Sequence, residues 1–323
     1  MPEHMRQVIL DFPQQFLYAP RVENGDKLPH TKKFLLAGMG GSHPAADFLT
    51  SMDTALDMVV HVDYGLPERA DLGDRLIIAS SYSGNTEETI SAYEEARKRG
   101  LSVAVITVGG KLLELARADG VPYIALPDTG VQPRSALGLG LLALLKLIGE
   151  DSLLAQVQAL STALDPAHWE EHGKFLADAL AGCVPVVYAS THNMPLAYHW
   201  KVEFNESAKV PAFWNVFSEL NHNEMTGFDV IPSTKDLSAR FHFILLQDAN
   251  DDPRILKRME VLQSLYGARG LKVSVVDIEG NSPWERVFNS LLLADWTAYH
   301  LALHYGTEPE QVPMVEEFKK MIT

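Results

Sequence analysis

Cysteine is nearly absent from this chain of 323 residues, which contains only Cys183. A single cysteine excludes an intrachain disulfide and any metal cluster held by cysteine ligands, as expected for a reducing compartment. Because Cys183 directly precedes an apolar run, we interpret it as a buried structural thiol rather than a nucleophile.

Basic residues and long apolar runs are also scarce. The chain has 27 Lys and Arg against 42 Asp and Glu, a net charge of −15, which argues against nucleic acid or an anionic membrane as a partner. The longest apolar run, residues 137–148, is interrupted by two glycines and a lysine and is too short to span a bilayer. Residues 1–10 carry charges and lack an apolar core, so we expect no signal peptide and predict a cytoplasmic protein.

The length and the pattern of apolar runs predict two α/β domains. Strand-like runs alternate with helical patterns every ~20–30 residues, which is typical of right-handed βαβ units and a parallel sheet. The strands are predicted at residues 34–37, 58–62, 76–80, 102–107, 122–126, 184–189, 241–246 and 272–276. We therefore predict a helix and linker at residues 1–33, a first sheet domain at 34–160 and a second at 161–323.

Residues 76–89, LIIASSYSGNTEET, are the stretch around which the rest of the chain is arranged. The apolar start predicts a strand buried on both faces, and a helix is predicted from about residue 86 to about residue 99. Between them, hydroxyl groups and a glycine lie next to the free backbone N–H groups of a helix N-terminus. Such a junction favours an anion without demanding a metal, so we interpret it as a phosphate-binding loop. A helix cap would use the same residue types and is the alternative.

Two further segments carry residues suited to a bound anion. Residues 38–42, GMGGS, follow a predicted strand, but His43 stands where a dinucleotide fingerprint needs its third glycine, and no Walker lysine follows. The remaining uses are close approach of the backbone to a ligand or a tight turn. Arg134 is predicted in the first turn of a helix, where the helix dipole disfavours a cation. Its guanidinium suits a phosphate oxygen or a developing enediolate, with a surface ion pair as the alternative.

The densest polar cluster covers residues 199–212 and 219–224. Glu203 and Glu206 lie three residues apart on one helical face, where they could form an acid/base pair or one could orient the other. His222 lies between two asparagines in a polar turn, unlike a core histidine. Metal ligation is the alternative, but the HExxH pattern is missing, and we predict neither a metal nor a cofactor.

Taken together, four segments resemble the bifunctional phosphoglucose/phosphomannose isomerases, a family of the sugar isomerase (SIS) domain superfamily. The four are residues 38–42, residues 80–89, residues 133–136, and residues 203–212 with 221–224. The serine-rich segment alone would indicate only the superfamily. The combination of NESAKVPA with NHNE in the last segment is much more specific.

The resemblance implies two SIS-type subdomains, each a parallel sheet between helix layers, and a homodimer with the active site at its interface. The residues implied to hold the substrate phosphate are Gly41, Ser42, Ser81, Ser83 and Thr86. Glu206 is implied as the base that moves a proton between C2 and C1, and Arg134 as the cation that stabilises the cis-enediolate. His222, contributed across the dimer, is implied to assist ring opening. A C-terminal lysine completes the set: Lys319 fits best, and Lys320 is the alternative.

The function that the resemblance implies is an aldose–ketose isomerase that interconverts glucose 6-phosphate and fructose 6-phosphate. Mannose 6-phosphate is left open, because residues 311–314, which bear on hexose selectivity, match the family weakly. His43 stands where relatives usually have a glycine, and we expect it to contact the sugar. The alternatives are a non-catalytic sugar-phosphate-binding protein and an amino-sugar phosphate isomerase. A regulator of the first kind should carry a basic helix-turn-helix segment, for which the acidic N-terminal part has no room.

Overall fold

The computed structural model describes residues 2–322 and divides the chain into two compact units. The first unit is Asp11–Ala163. The second unit begins at Leu164 and includes the N-terminal helix α1, Pro2–Leu10. Helix α1 joins that unit through Met5 and Ile9, which lie one turn apart and are both buried. The sequence pattern grouped this helix with a linker instead, because the pattern carries no information on what a short apolar face packs against.

The first unit contains one five-stranded parallel sheet. Its strands are β1 Lys33–Ala37, β2 Asp57–His61, β3 Leu76–Ser80, β4 Val103–Thr107 and β5 Tyr123–Ala125. Its α-helices are α2 Pro44–Met52, α3 Glu87–Lys98, α4 Gly110–Asp119, α5 Leu137–Ile148, α6 Asp151–Gln158 and α7 Leu160–Ala163. Each of the five strands lies within one residue of where the sequence predicts it.

The strand order of the first sheet is β2-β1-β3-β4-β5. All five residues of β3 are buried, as expected for a central strand covered by helices on both faces. Helix α3 has acidic residues in its first turn and basic residues in its last, which suits the helix dipole at both ends. The stretch that the sequence singled out therefore forms a central strand followed by a well-defined helix.

The second unit contains one four-stranded parallel sheet of order β7-β6-β8-β9. Its strands are β6 Val184–Ser190, β7 Phe213–Phe217, β8 Phe241–Gln247 and β9 Lys272–Asp277. The remaining α-helices are α8 Pro166–Leu180, α9 Met194–Glu206, α10 Glu224–Gly227, α11 Lys235–Ser238, α12 Pro253–Ala268, α13 Pro283–Tyr305 and α14 Pro313–Ile322. This order matches the first four strands of the first sheet, so both units share one βαβ plan.

Among residues 2–322, β7 is the one strand that the sequence did not predict. It pairs with β6 alone and forms an edge of the sheet, and only its last residue, Phe217, is buried. An edge strand of this kind lacks the continuous apolar run by which the other strands were found. The predicted α/β fold class is nonetheless confirmed. Within residues 2–322, no helix is long and apolar enough to cross a membrane.

Candidate active site

The site predicted for the substrate phosphate lies at the carboxyl end of the first sheet. Because β1 pairs with β2 on one side and β3 on the other, the connections leaving β1 and β3 diverge and leave a crevice between them. Residues 38–43, the glycine loop, follow β1, and residues 81–86, the serine loop, follow β3. Both predicted loops therefore flank the same crevice.

Hydroxyl groups hold the serine loop in a compact shape. Ser81 is buried, and its Oγ lies 2.8 Å from Thr86 Oγ1 and accepts from the Gly84 N–H at 3.1 Å. Ser83 is exposed, and its Oγ accepts from the Asn85 N–H at 3.2 Å. Thr86 occupies the N-cap position of α3, yet its side chain accepts no capping hydrogen bond from the N–H groups in the described first turn of that helix. These hydroxyls therefore do not serve mainly as a helix cap, which favours the anion-binding interpretation.

The glycine loop is hydrogen-bonded to the serine loop and to the end of β3. Ser42 Oγ accepts from the Tyr82 N–H at 2.9 Å, and Ser80 Oγ donates to the Ser42 carbonyl at 2.9 Å. A Cβ atom at Gly38 would lie 2.9 Å from the Ser80 carbonyl oxygen, so this approach requires glycine. The two loops are therefore fixed relative to each other.

Arg134 lies beside the glycine loop. It belongs to a 3-10 helix, Pro133–Ala136, that leads into α5, and it is only 3% exposed, so the alternative of a surface arginine is wrong. A Cβ atom at Gly41 would lie 2.8 Å from the backbone nitrogen of Arg134 and 2.7 Å from the carbonyl carbon of Pro133. The missing side chain at Gly41 therefore lets the Arg134 segment reach the loop. The first unit thus places the backbone of the Arg134 segment against the glycine loop.

A small cavity of about 20 Å³ lies where these segments meet. Its polar lining comes from Ser42, Ser80 and Tyr82, and its other walls are mainly aliphatic. Burial raises the pKa of Tyr82, so its hydroxyl stays protonated at neutral pH. The volume suits about one water molecule rather than a sugar.

His43 closes the glycine loop and is largely buried. Its Nδ1 lies 2.6 Å from Asp47 Oδ2, one turn further along on α2. This bond ties the ring to the helix that follows the loop. The expected contact between His43 and the sugar stays a prediction.

The two glutamates of α9 have different surroundings. Glu203 is 1% exposed, and its Oε2 accepts from Ser207 Oγ at 2.7 Å, while its Oε1 lies 3.6 Å from His199 Nε2. Glu206, the last residue of the helix, is partly exposed. The structure therefore favours Glu206 as the group that can reach a substrate and Glu203 as a group that packs inside. Within residues 2–322, no group of three or more His, Cys, Asp or Glu side chains is placed to hold a metal ion.

His222 ends a 3-10 helix, Glu219–His222, on the surface of the second unit. Leu220 of that helix is fully buried, whereas His222 is exposed, as predicted for a histidine in a polar turn. The neighbouring Asn221 Oδ1 accepts from Arg258 Nη1 at 3.2 Å. His222 is therefore exposed to solvent, while its neighbours Leu220 and Asn221 contact the rest of the second unit.

The sequence did not reveal how the segment after His222 is anchored. The Glu224 carboxylate accepts one hydrogen bond from the Tyr188 hydroxyl and another from Asn215 Nδ2. A tyrosine in the middle of a buried strand was the available signal, because its hydroxyl must find a partner.

Lys319 and Lys320 are both exposed on α14. Lys319 Nζ lies 2.8 Å from Glu316 Oε1. Such an exposed pair contributes little, about 0–1 kcal/mol, so it would not prevent Lys319 from moving to a substrate. The three catalytic candidates of the second unit thus lie on three different elements: the end of α9, the short helix at His222 and α14.

Known proteins similar to this chain cover most of its length. Residues 170–322 match the family model described as bacterial phospho-glucose isomerase C-terminal SIS domain. A bifunctional phosphoglucose/phosphomannose isomerase from Thermoplasma acidophilum is 38% identical over 294 residues, which cover 90% of this chain and 89% of that protein. A protein of the same name from Caldicellulosiruptor bescii is 36% identical over 309 residues, with 90% and 89% covered. Among solved structures, glucosamine-6-phosphate deaminase from Thermotoga maritima has a TM-score of 0.70 at 16% identity, covering 96% of this chain and 97% of that chain.

Two parallel sheets of one strand order, with a hydroxyl-rich loop at the switch point of the first, define a protein of the SIS-domain class. Within that class, the chain belongs to the bifunctional phosphoglucose/phosphomannose isomerase family. The family predicted from four short segments is thereby confirmed. The roles of single residues stay predictions.

Proposed function

We propose that this protein is an aldose–ketose isomerase that interconverts glucose 6-phosphate and fructose 6-phosphate by proton transfer. The observation that carries this proposal is the juxtaposition, in the first unit, of two interlocked hydroxyl- and glycine-rich loops with the buried Arg134. A sugar with a phosphate at one end and a carbonyl at the other suits such a site. Membership of the family supports the same substrate class.

The phosphate is held by the glycine and serine loops. The residues proposed to bind it are Gly41, Ser42, Ser81, Ser83 and Thr86. Backbone N–H groups at the start of α3 add donors, and the helix dipole favours the negative charge. Neutral hydroxyls suit a reaction in which the phosphate only positions the sugar.

Charged and titratable side chains carry out the chemical steps in this proposal. Glu206 removes the proton next to the carbonyl and returns it to the neighbouring carbon, which passes the sugar through a cis-enediolate. Arg134 faces the developing negative charge as a fixed cation. His222, supplied across a homodimer interface, opens the sugar ring, and Lys319 completes the set at the C-terminus.

Mannose 6-phosphate is proposed as a further substrate. Glucose 6-phosphate and mannose 6-phosphate differ only in configuration at C2, and removal of the C2 proton gives the same enediolate from either. Return of the proton to one face or the other then decides the product. The names of the relatives, which include both activities, support this extension.

An isomerase assay over the three hexose 6-phosphates, with chelator present, tests the proposal. We expect fructose 6-phosphate and glucose 6-phosphate to reach equilibrium from either side. Turnover of amino-sugar phosphates alone would favour the amino-sugar isomerase. Binding of a hexose 6-phosphate without any turnover would instead favour the non-catalytic binding protein.

The place of this activity in the cell follows from its substrates. We infer a cytoplasmic homodimer that works in glycolysis and gluconeogenesis, where the two hexose phosphates are interconverted. The single cysteine, which is buried and free, agrees with a reducing compartment. Sedimentation of the purified protein tests the dimer.

A further inference from the structure

The segment that carries His222 is attached to the second unit at two points. On one side, Leu220 packs in the core of the unit together with Phe217 and Tyr188. On the other side, Glu224 begins helix α10 and is held by hydrogen bonds through its carboxylate. His222 lies two residues from each attachment, so the chain is anchored on both sides of it.

The carboxylate anchor is built by two neighbouring strands. Tyr188 of β6 and Asn215 of β7 are partners in the parallel register, so their side chains lie next to each other on one face of the sheet. The Tyr188 hydroxyl donates to Glu224 Oε1, and Asn215 Nδ2 donates to Glu224 Oε2. Each carboxylate oxygen therefore receives its own donor, which fixes the position and the orientation of the group.

The tyrosine side of this anchor is rigid. Tyr188 is fully buried, and its ring contacts Phe217 edge-on at 6.1 Å and Phe243 at 5.5 Å between ring centres. Burial raises the pKa of Tyr188, so the hydroxyl remains a hydrogen-bond donor at physiological pH. Because the ring is packed in the core and its hydroxyl stays protonated, Tyr188 can hold the surface segment that contains Glu224 in a constant position.

We propose that Tyr188 and Asn215 are positioning residues for His222 and act through the carboxylate of Glu224. Neither residue needs to touch the substrate. They hold the segment after His222 so that its imidazole is presented in one place, while Leu220 holds the segment before it. The proposal rests on the proposed role of His222 in ring opening.

A double-mutant cycle tests the proposal. Tyr188→Phe keeps the ring in the core and removes only the hydroxyl, and we expect kcat to fall about 10- to 100-fold with KM nearly unchanged. In a His222→Ala background, the same substitution should have almost no further effect on kcat, because both changes remove one function. Asn215→Leu, at a partly exposed edge-strand position, should behave in the same way if Tyr188→Phe proves too unstable to purify.

Tyr93→Phe is the matched control. Tyr93 is also a buried tyrosine that donates to a carboxylate, Asp119 at 2.8 Å, but it lies in the first unit at α3. It should lower stability to a similar extent and leave kcat unchanged. If Tyr188→Phe lowers kcat equally in the presence and absence of His222, or does not lower it at all, the proposal is overturned.

A second readout separates this proposal from the proposed function. Failure of the wild type to isomerise any hexose phosphate would count against the function alone. In that case, histidine side-chain NMR decides: the His222 resonances should shift or broaden in Tyr188→Phe and stay in place in Tyr93→Phe. Unchanged His222 resonances in Tyr188→Phe would refute the positioning role.

Discussion

At the scale of single residues, Glu203 and Glu206 show what burial adds to a sequence pattern. Their spacing predicts one shared helical face, and α9 has that geometry. The pattern cannot say which of the two is accessible, because α9 ends at Glu206 and the chain then turns. Glu203 lies inside and is engaged by Ser207, whereas Glu206 is partly exposed.

Glu206→Gln is therefore expected to abolish turnover while leaving phosphate binding largely intact. The amide keeps the shape of the side chain but cannot accept a proton, so kcat should fall by about 100-fold or more. Steady-state kinetics and calorimetric titration with a hexose 6-phosphate measure the two effects.

Ser207→Ala is the contrasting change. It removes one hydrogen bond from the buried Glu203 carboxylate and should lower the free energy of unfolding by about 1–3 kcal/mol with kcat kept. Returning to Glu206→Gln, wild-type rates in that variant would show that Glu206 is not the base.

Arg134→Lys is expected to weaken catalysis although it keeps the charge. The planar guanidinium donates through a fixed fork that an ammonium cannot reproduce, so we expect kcat to fall about 10- to 1,000-fold. KM for the sugar phosphate should change much less, because the hydroxyl loops hold the phosphate. A rise in KM at constant kcat would instead assign Arg134 to phosphate binding.

At the scale of elements, apolar runs located every strand except β7, because buried parallel strands have a continuous apolar signature. The charge order of α3 likewise located that helix. Side-chain and close backbone contacts were beyond the pattern: the bond between Ser42 and Tyr82 and the approach of Gly41 to Arg134 join segments far apart in the chain. The predicted loops were therefore found singly, and the structure shows that they meet.

Gly41→Ala tests the contact between the glycine loop and the Arg134 segment. The added Cβ would be 2.7–2.8 Å from the backbone of Pro133 and Arg134, so one of the two segments must shift. We expect kcat/KM to fall about 10- to 100-fold in steady-state kinetics.

Gly73→Ala is the control for Gly41→Ala. It adds a Cβ with no atom within 4 Å at a position without a positive φ, and it should keep activity and change the free energy of unfolding by less than about 1 kcal/mol. Equal activity of the two variants would show that the Arg134 segment does not depend on the glycine loop.

At the scale of the whole molecule, the sequence predicted two α/β halves, and the two sheets indeed repeat one strand order. It did not predict that α1 belongs with the second unit, nor that Gly173 of α8 marks a close helix crossing. A Cβ at Gly173 would lie 2.4 Å from Trp296 Cβ of α13. A close crossing depends on which two helices pack against each other, and a single sequence does not predict that pairing.

Gly173→Ala should therefore destabilise the protein by about 1–3 kcal/mol, because two packed helices must move apart. Gly267→Ala on α12 is the control: nothing lies within 4 Å of the added atom, so the change should stay within about 1 kcal/mol. Urea unfolding of both variants measures the difference. Equal stability would mean that α8 and α13 pack less closely than described.

Isomerisation of hexose 6-phosphates by proton transfer exposes the transferred proton to exchange with solvent. The most direct measurement follows fructose 6-phosphate by NMR in D₂O, with chelator present, for the wild type and for Glu206→Gln. We expect the wild type to form glucose 6-phosphate and, over many turnovers, to accumulate solvent deuterium at C2, because the proton carried by Glu206 can exchange with solvent before its return. The variant should form neither product nor label. Equal rates in both proteins, or product that stays free of deuterium after many turnovers, would contradict proton transfer by Glu206.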